Sequence, residues 1–86
     1  MENITIEKCA WYNNYLVWII KVNNYPLHII KTTYKECITL DRDTIRYIRR
    51  NFEARGTDII FFENKENAEK ALDYLIPIII MELLIK

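Results

Sequence analysis

Serine and glutamine are missing from this chain of 86 residues, glycine occurs once, at Gly56, and proline twice, at Pro26 and Pro77. Without serine there is no serine nucleophile. A single glycine excludes the phosphate-cradling loops of nucleotide sites, which use several. So few breakers also leave no long flexible linker and no low-complexity tail. Histidine is represented by His28 alone. The cysteines, Cys9 and Cys37, are 28 positions apart, far from the spacing of a zinc ribbon. Reduced thiols in a cytoplasmic compartment are the economical expectation. Met1-Glu2-Asn3 is neither basic nor followed by an apolar run, so no export signal is expected. The longest apolar stretch, Leu75 to Met81, falls far short of the ~20 residues that span a bilayer. Formal net charge is zero, which argues against global electrostatic capture of nucleic acid or membrane.

What is present is hydrophobic. Apolar residues make up 51% of the chain and 16 residues are isoleucine, too many for disorder. The length allows one domain, residues 1–86, that buries only roughly 60–65% of its unfolded surface.

Residues 4–12 (ITIEKCAWY) and 15–22 (YLVWIIKV) hold β-branched and aromatic types and read as strands. Asn13-Asn14 and Asn23-Asn24-Tyr25-Pro26 are turn signals. Residues 27–34 (LHIIKTTY) read as a third strand. Trp18-Ile19-Ile20-Lys21 and His28-Ile29-Ile30-Lys31 repeat a pattern ten residues apart, as neighbouring strands of a meander would. The period then becomes helical. Asp41 is placed to cap a helix over 42–55, with Leu40 and Ile45 as a hydrophobic staple and Ile45, Ile48 and Phe52 facing inward. Gly56 sits where a left-handed residue ends a helix. Residues 58–63 (DIIFFE) read as a short buried strand. Asn64 caps a second helix through Ala68, Ala71, Leu72, Leu75, Ile76 and Ile79. The expected fold is α+β: a four-stranded, mostly antiparallel sheet in the order β-β-β-α-β-α, with two helices packed on it. Leu16 to Ile20, Ile29-Ile30 and Ile59 to Phe62 are apolar on both faces, so cover on both sides of the sheet is expected, from the helices or from a partner.

The second helix changes character at Pro77. Before it, Glu66, Glu69, Lys70 and Asp73 share a polar face. After it that face disappears, because Ile80 and Leu84 continue the line of Glu69 and Asp73, with Met81 beside them. Exposed apolar residues in a group mark an interface. Ile80, Met81 and Leu84 are therefore the candidate dimer contact, with burial inside the domain as the alternative. Residues 78–85 are also isoleucine-rich enough to form a strand. Glu82 falls on the core line of a straight helix, and a kink at Pro77 would rotate it outward.

All five arginines lie between Arg42 and Arg55, and the chain uses lysine everywhere else. Arginine offers a flat fork of donors suited to phosphate and carboxylate, which lysine does not. Taking Ile45 as zero, Arg42, Arg46, Arg49 and Arg50 project between about 40° and 140° and line one shoulder of the first helix. They are the candidate partner- or phosphate-binding residues. The competing reading is a solvated face in which Arg49 pairs with Glu53 and Arg46 with Asp43.

Other patterns are weaker. Trp11, Tyr12, Tyr15, Trp18, Tyr25 and Tyr34 crowd the strands and could stack bases, though aromatics favour strands for packing alone. Glu63-Asn64-Lys65 has the E-x-K form of metal-dependent nucleases, but helix capping explains Asn64 as well. A Cys-His pair between the first and third strands competes with a packed histidine and inert thiols. No catalytic residue, metal site, cofactor or small-molecule ligand is expected.

In size, composition and lack of motifs the chain is similar to phage and mobile-element inhibitors, anti-CRISPR and other anti-defence proteins among them. That similarity implies a non-enzymatic inhibitor occupying a surface of a protein or ribonucleoprotein target, in the bacterial cytoplasm, and Ile80, Met81 and Leu84 would join two copies as a homodimer. The alternative is a dimeric nucleic-acid-binding regulator that presents its arginine helix to phosphates.

Overall fold

The computed structural model describes residues 3–11, 15–34 and 36–85. Strand β1 (Ile4–Trp11) pairs antiparallel with β2 (Tyr15–Val22), in a register that sets Ile4 against Val22 and Ile6 against Ile20. These four share one face of the sheet. Asn23 and Asn24 both take positive φ, 52° and 73°, and connect β2 to β3 (Tyr25–Pro26). Such a two-residue turn matches the twist of a hairpin, and asparagine tolerates it. Asn3 secures the turn: its amide donates to Asn23 Oδ1 at 2.9 Å, and its carbonyl accepts the Asn23 amide at 2.7 Å.

The sheet has three strands in the order β1-β2-β3, not four. The expected third strand over 27–34 is replaced by the two-residue β3. Leu27 still donates to Ile20 O at 3.2 Å, and there the pairing with β2 ends. Further along β2, Trp18 exchanges both backbone hydrogen bonds with Phe62, each 2.8 Å. The edge that 28–30 would have extended is thus taken by a residue from far along the chain. His28 turns aside and bonds Ile38 O and the Leu40 amide, each at 2.9 Å. Leu27 and Ile29 bond Ile60 and Asp58, at 3.0 and 2.7 Å. The expected strand over 58–63 is reduced to isolated bridges at Ile59, Phe61 and Phe62. Element order is therefore β-β-β-α-α. The Trp18 and His28 tetrapeptides do not lie on neighbouring paired strands, and Asn13-Asn14 and Tyr12 lie outside the described residues.

Helix α1 (Arg42–Phe52) begins where the sequence places it. Asp41 Oδ1 accepts the Thr44 amide at 2.6 Å, and Leu40 and Ile45 are both buried. The helix stops three residues before the expected end. Glu53 adopts the left-handed conformation, with φ 54°, and the Ala54 amide bonds Ile48 O at 3.2 Å. Gly56 has another task, described below. Hydrogen bonds from the Thr44 backbone and side chain hold the Asp41 carboxyl below its ordinary pKa of 3.8. A lowered carboxylate pKa adds stability above the unfolded value and loses it as pH falls through the folded value. Asp41→Ala is expected to cost about 1 kcal/mol at neutral pH, in line with other helix caps. The gap in thermal midpoint between variant and wild type should narrow as pH drops below about 4.

Helix α2 (Lys65–Ile85) runs unbroken through Pro77, so 78–85 is helix and not strand. Asn64 caps it, with Oδ1 accepting the Asn67 amide at 2.8 Å. Ala68, Ala71, Leu75 and Ile79 form its fully buried line. Pro77 and Asp73, whose carbonyl would have accepted the missing N–H, are both on the exposed side. α2 packs on β1 and β2, and α1 packs on α2. Tyr47 and Tyr74 stack between the helices with centroids 4.2 Å apart. The core joins Ile20, Val22, Leu27 and Phe62 to Ile48, Leu75 and Ile79. Val17 and Ile19, which point to the other face of β2, are buried as well. Among the described residues no helix is long and apolar enough to cross a membrane.

Candidate functional site

Four arginines of α1 meet one open groove of about 670 Å³. Arg42, Arg46, Arg49 and Arg50 supply its charged side, as their helical spacing predicts. Its floor is aliphatic: Ile45 from α1 itself, Leu40 from the residue before the cap, and Ile29 from the segment that turns away from β2. Ile45 and Leu40 are buried and Ile29 is half-buried. The concavity and its floor were not foreseen, because Ile29 reaches α1 only through the bonds that divert residues 27–29. No local pattern carried that information.

Among the described residues the charges in the groove are largely unopposed. Arg49 does not pair with Glu53; its Nη2 donates to the carbonyl of Gly56 at 2.8 Å. That neutral partner orients the guanidinium without cancelling its charge. Arg46 reaches Asp43 only at 4.0 Å, with both side chains mostly in solvent, a geometry that contributes little. Among the described residues Arg42 and Arg50 have neither an ion pair nor a side-chain hydrogen bond. Two smaller hollows adjoin the groove. One, beside Arg49, includes Glu53 and Gly56; the other, beside Arg46 and Arg50, includes Tyr47 and Asn51. Arg55 stands apart. Its backbone pairs with Phe61 and its Nε faces Glu63 Oε1 at 3.8 Å.

The carbonyl that holds Arg49 belongs to a residue that must be glycine. Gly56 has φ 110°, and a Cβ there would overlap the Ile59 carbonyl oxygen and crowd Phe61 Cδ2 at 3.2 Å. The glycine therefore makes a close backbone approach, not the helix end expected of it.

The remaining candidates separate. The Trp18 ring is approached by Lys8 Nζ at 5.5 Å and Lys65 Nζ at 5.4 Å, which suits cation–π contact. Tyr25 and Tyr34 are exposed, while Tyr12 and the side chains of Trp11 and Tyr15 lie outside the described residues. In Glu63-Asn64-Lys65 each residue has a structural contact: with Arg55, as the α2 cap, and over Trp18. Among the described residues no group of three or more His, Cys, Asp or Glu could hold a metal ion. His28 Nδ1 lies 2.8 Å from Pro26 O, and Cys37 is buried. The Cys9 half of the suggested Cys-His pair lies outside the described side chains.

At the far end of α2, Ile80, Met81 and Leu84 are exposed, Leu84 by 76%, and Ile85 joins them. Burial inside the domain does not apply to these residues. Glu82 is half-buried, neither fully on the core line nor rotated into solvent.

No known protein family matches the chain, and no match is found among curated proteins or solved structures.

Proposed function

We propose that this protein is a non-enzymatic binding protein that acts by occupying an anionic surface of a protein or ribonucleoprotein target. One observation carries the reading: four guanidinium groups converge on one groove and, among the described residues, form a single exposed ion pair, Arg46 with Asp43 at 4.0 Å. Unpaired arginine forks are suited to a partner's carboxylates or phosphates. The exposed end of α2 supports a second contact, in which Ile80, Met81 and Leu84 join two copies as a homodimer. Small size and lack of motif suit an inhibitor of the phage anti-defence kind, acting in the bacterial cytoplasm.

The test is affinity capture from a bacterial lysate with wild type and with Arg46→Ala, Arg50→Ala. Each charge-assisted contact is worth roughly 1.5–3 kcal/mol, so the double variant is expected to bind about 100-fold or more weakly. Its melting temperature should stay near that of wild type, since both side chains are exposed. Equal capture by both proteins would remove the arginines from the function.

A nucleic-acid regulator is the second reading, supported by the row of arginines along α1. It predicts capture that vanishes with nuclease and affinity that falls steeply with salt. The inhibitor reading predicts a stoichiometric protein partner that survives nuclease.

The dimer contact has its own test. Met81→Glu with Leu84→Lys is expected to give a folded monomer by sedimentation equilibrium, with an unchanged circular dichroism spectrum, where wild type sediments as a dimer. A folded variant that still sediments as a dimer would remove these residues from the contact.

A further inference from the structure

Resting on the arginine groove as the target-binding surface, we infer that its occupant is a short acidic peptide segment with an aliphatic side chain as anchor. Three features of the groove select this class over nucleic acid. The first is shape. The arginines border a hollow between α1 and the Ile29 segment. A helix that reads duplex DNA must project into the major groove. A concave site instead receives a narrow chain.

The second is the floor. Ile29, Leu40 and Ile45 are purely aliphatic, and among the described residues no aromatic ring lines the hollow. A base placed there would lay its polar edge against hydrocarbon and lose hydrogen bonds to water. A leucine, isoleucine or methionine side chain would bury apolar surface at no such cost.

The third is the charge pattern. Arg42 and Arg50 lie roughly 12 Å apart along the helix, the length of about four residues of extended chain. Carboxylates on either side of an apolar anchor would meet guanidiniums at the rim while the anchor meets the floor. Arg49, already oriented by the Gly56 carbonyl, has donors left to grip one of them.

The experiment uses fluorescence anisotropy with the full chain and three labelled probes of equal charge. One is a glutamate-rich peptide with two leucines, one is the same peptide with serines in their place, and one is an oligothymidylate. The leucine peptide is expected to bind saturably, about tenfold or more tighter than the serine peptide. Arg46→Ala with Arg50→Ala should weaken it about 100-fold. Equal binding of the two peptides would overturn the anchor, and a tighter oligothymidylate would overturn the peptide. No binding of any probe would also overturn the inference. Arginine-dependent capture of a protein from lysate would, in that case, still leave the proposed function standing.

Discussion

Gly56→Ala is expected to destabilise the protein by about 3 kcal/mol or more, out of the roughly 5–15 kcal/mol that holds a typical domain folded. Two effects add. A side chain at φ 110° is strained before any neighbour is considered, and the new Cβ would overlap the Ile59 carbonyl oxygen. That oxygen cannot easily retreat. On one side of it, Arg55 and Phe61 exchange backbone hydrogen bonds of 2.8 and 3.0 Å; on the other, Ile60 donates to Leu27 O at 3.0 Å. Relief would require the segment after α1 to unpair. A urea titration should show a lower midpoint, and residual folded protein should bind acidic probes more weakly. The weaker probe binding follows because Gly56 O is the acceptor that orients Arg49. A midpoint equal to wild type would mean that residues 56–61 rearrange at little cost.

Phe62→Ala should be equally severe, at about 3–5 kcal/mol for loss of a large buried ring. Phe62 is fully buried, and its backbone takes the edge of β2 opposite Trp18. The two backbone hydrogen bonds could still form in the variant, so the loss measures the cavity and not the pairing. Phe62→Leu, which refills much of the space, should recover more than half of it. If alanine and leucine gave the same urea midpoint, packing of this ring would not be what secures the segment.

The sequence carried the local features and missed those decided at long range. Asp41, the Leu40–Ile45 staple and the Ile45–Ile48–Phe52 spacing mark α1, because capping and amphipathic periodicity act within a few residues. The helix end was misplaced because Glu53, and not glycine, takes the left-handed position, while Gly56 answers a steric demand from Ile59. The third strand was overextended because Phe62 outcompetes 28–30 for β2, a contest between segments far apart in the chain. The same distinction runs through the site. The arginine shoulder and the exposed Ile80, Met81 and Leu84 follow from helix geometry alone, whereas the floor beneath the arginines depends on where Ile29 is carried.

That dependence has a kinetic consequence. Contacts between distant residues form slowly, because loop closure must precede any gain. α1 carries its own cap and can form early, yet the hollow beside it exists only after residues 27–29 have docked on both 38–40 and 58–60. An incompletely folded chain would display the arginines without the floor. A ligand that needs both would recognise only finished molecules, and by mass action would draw the population toward them.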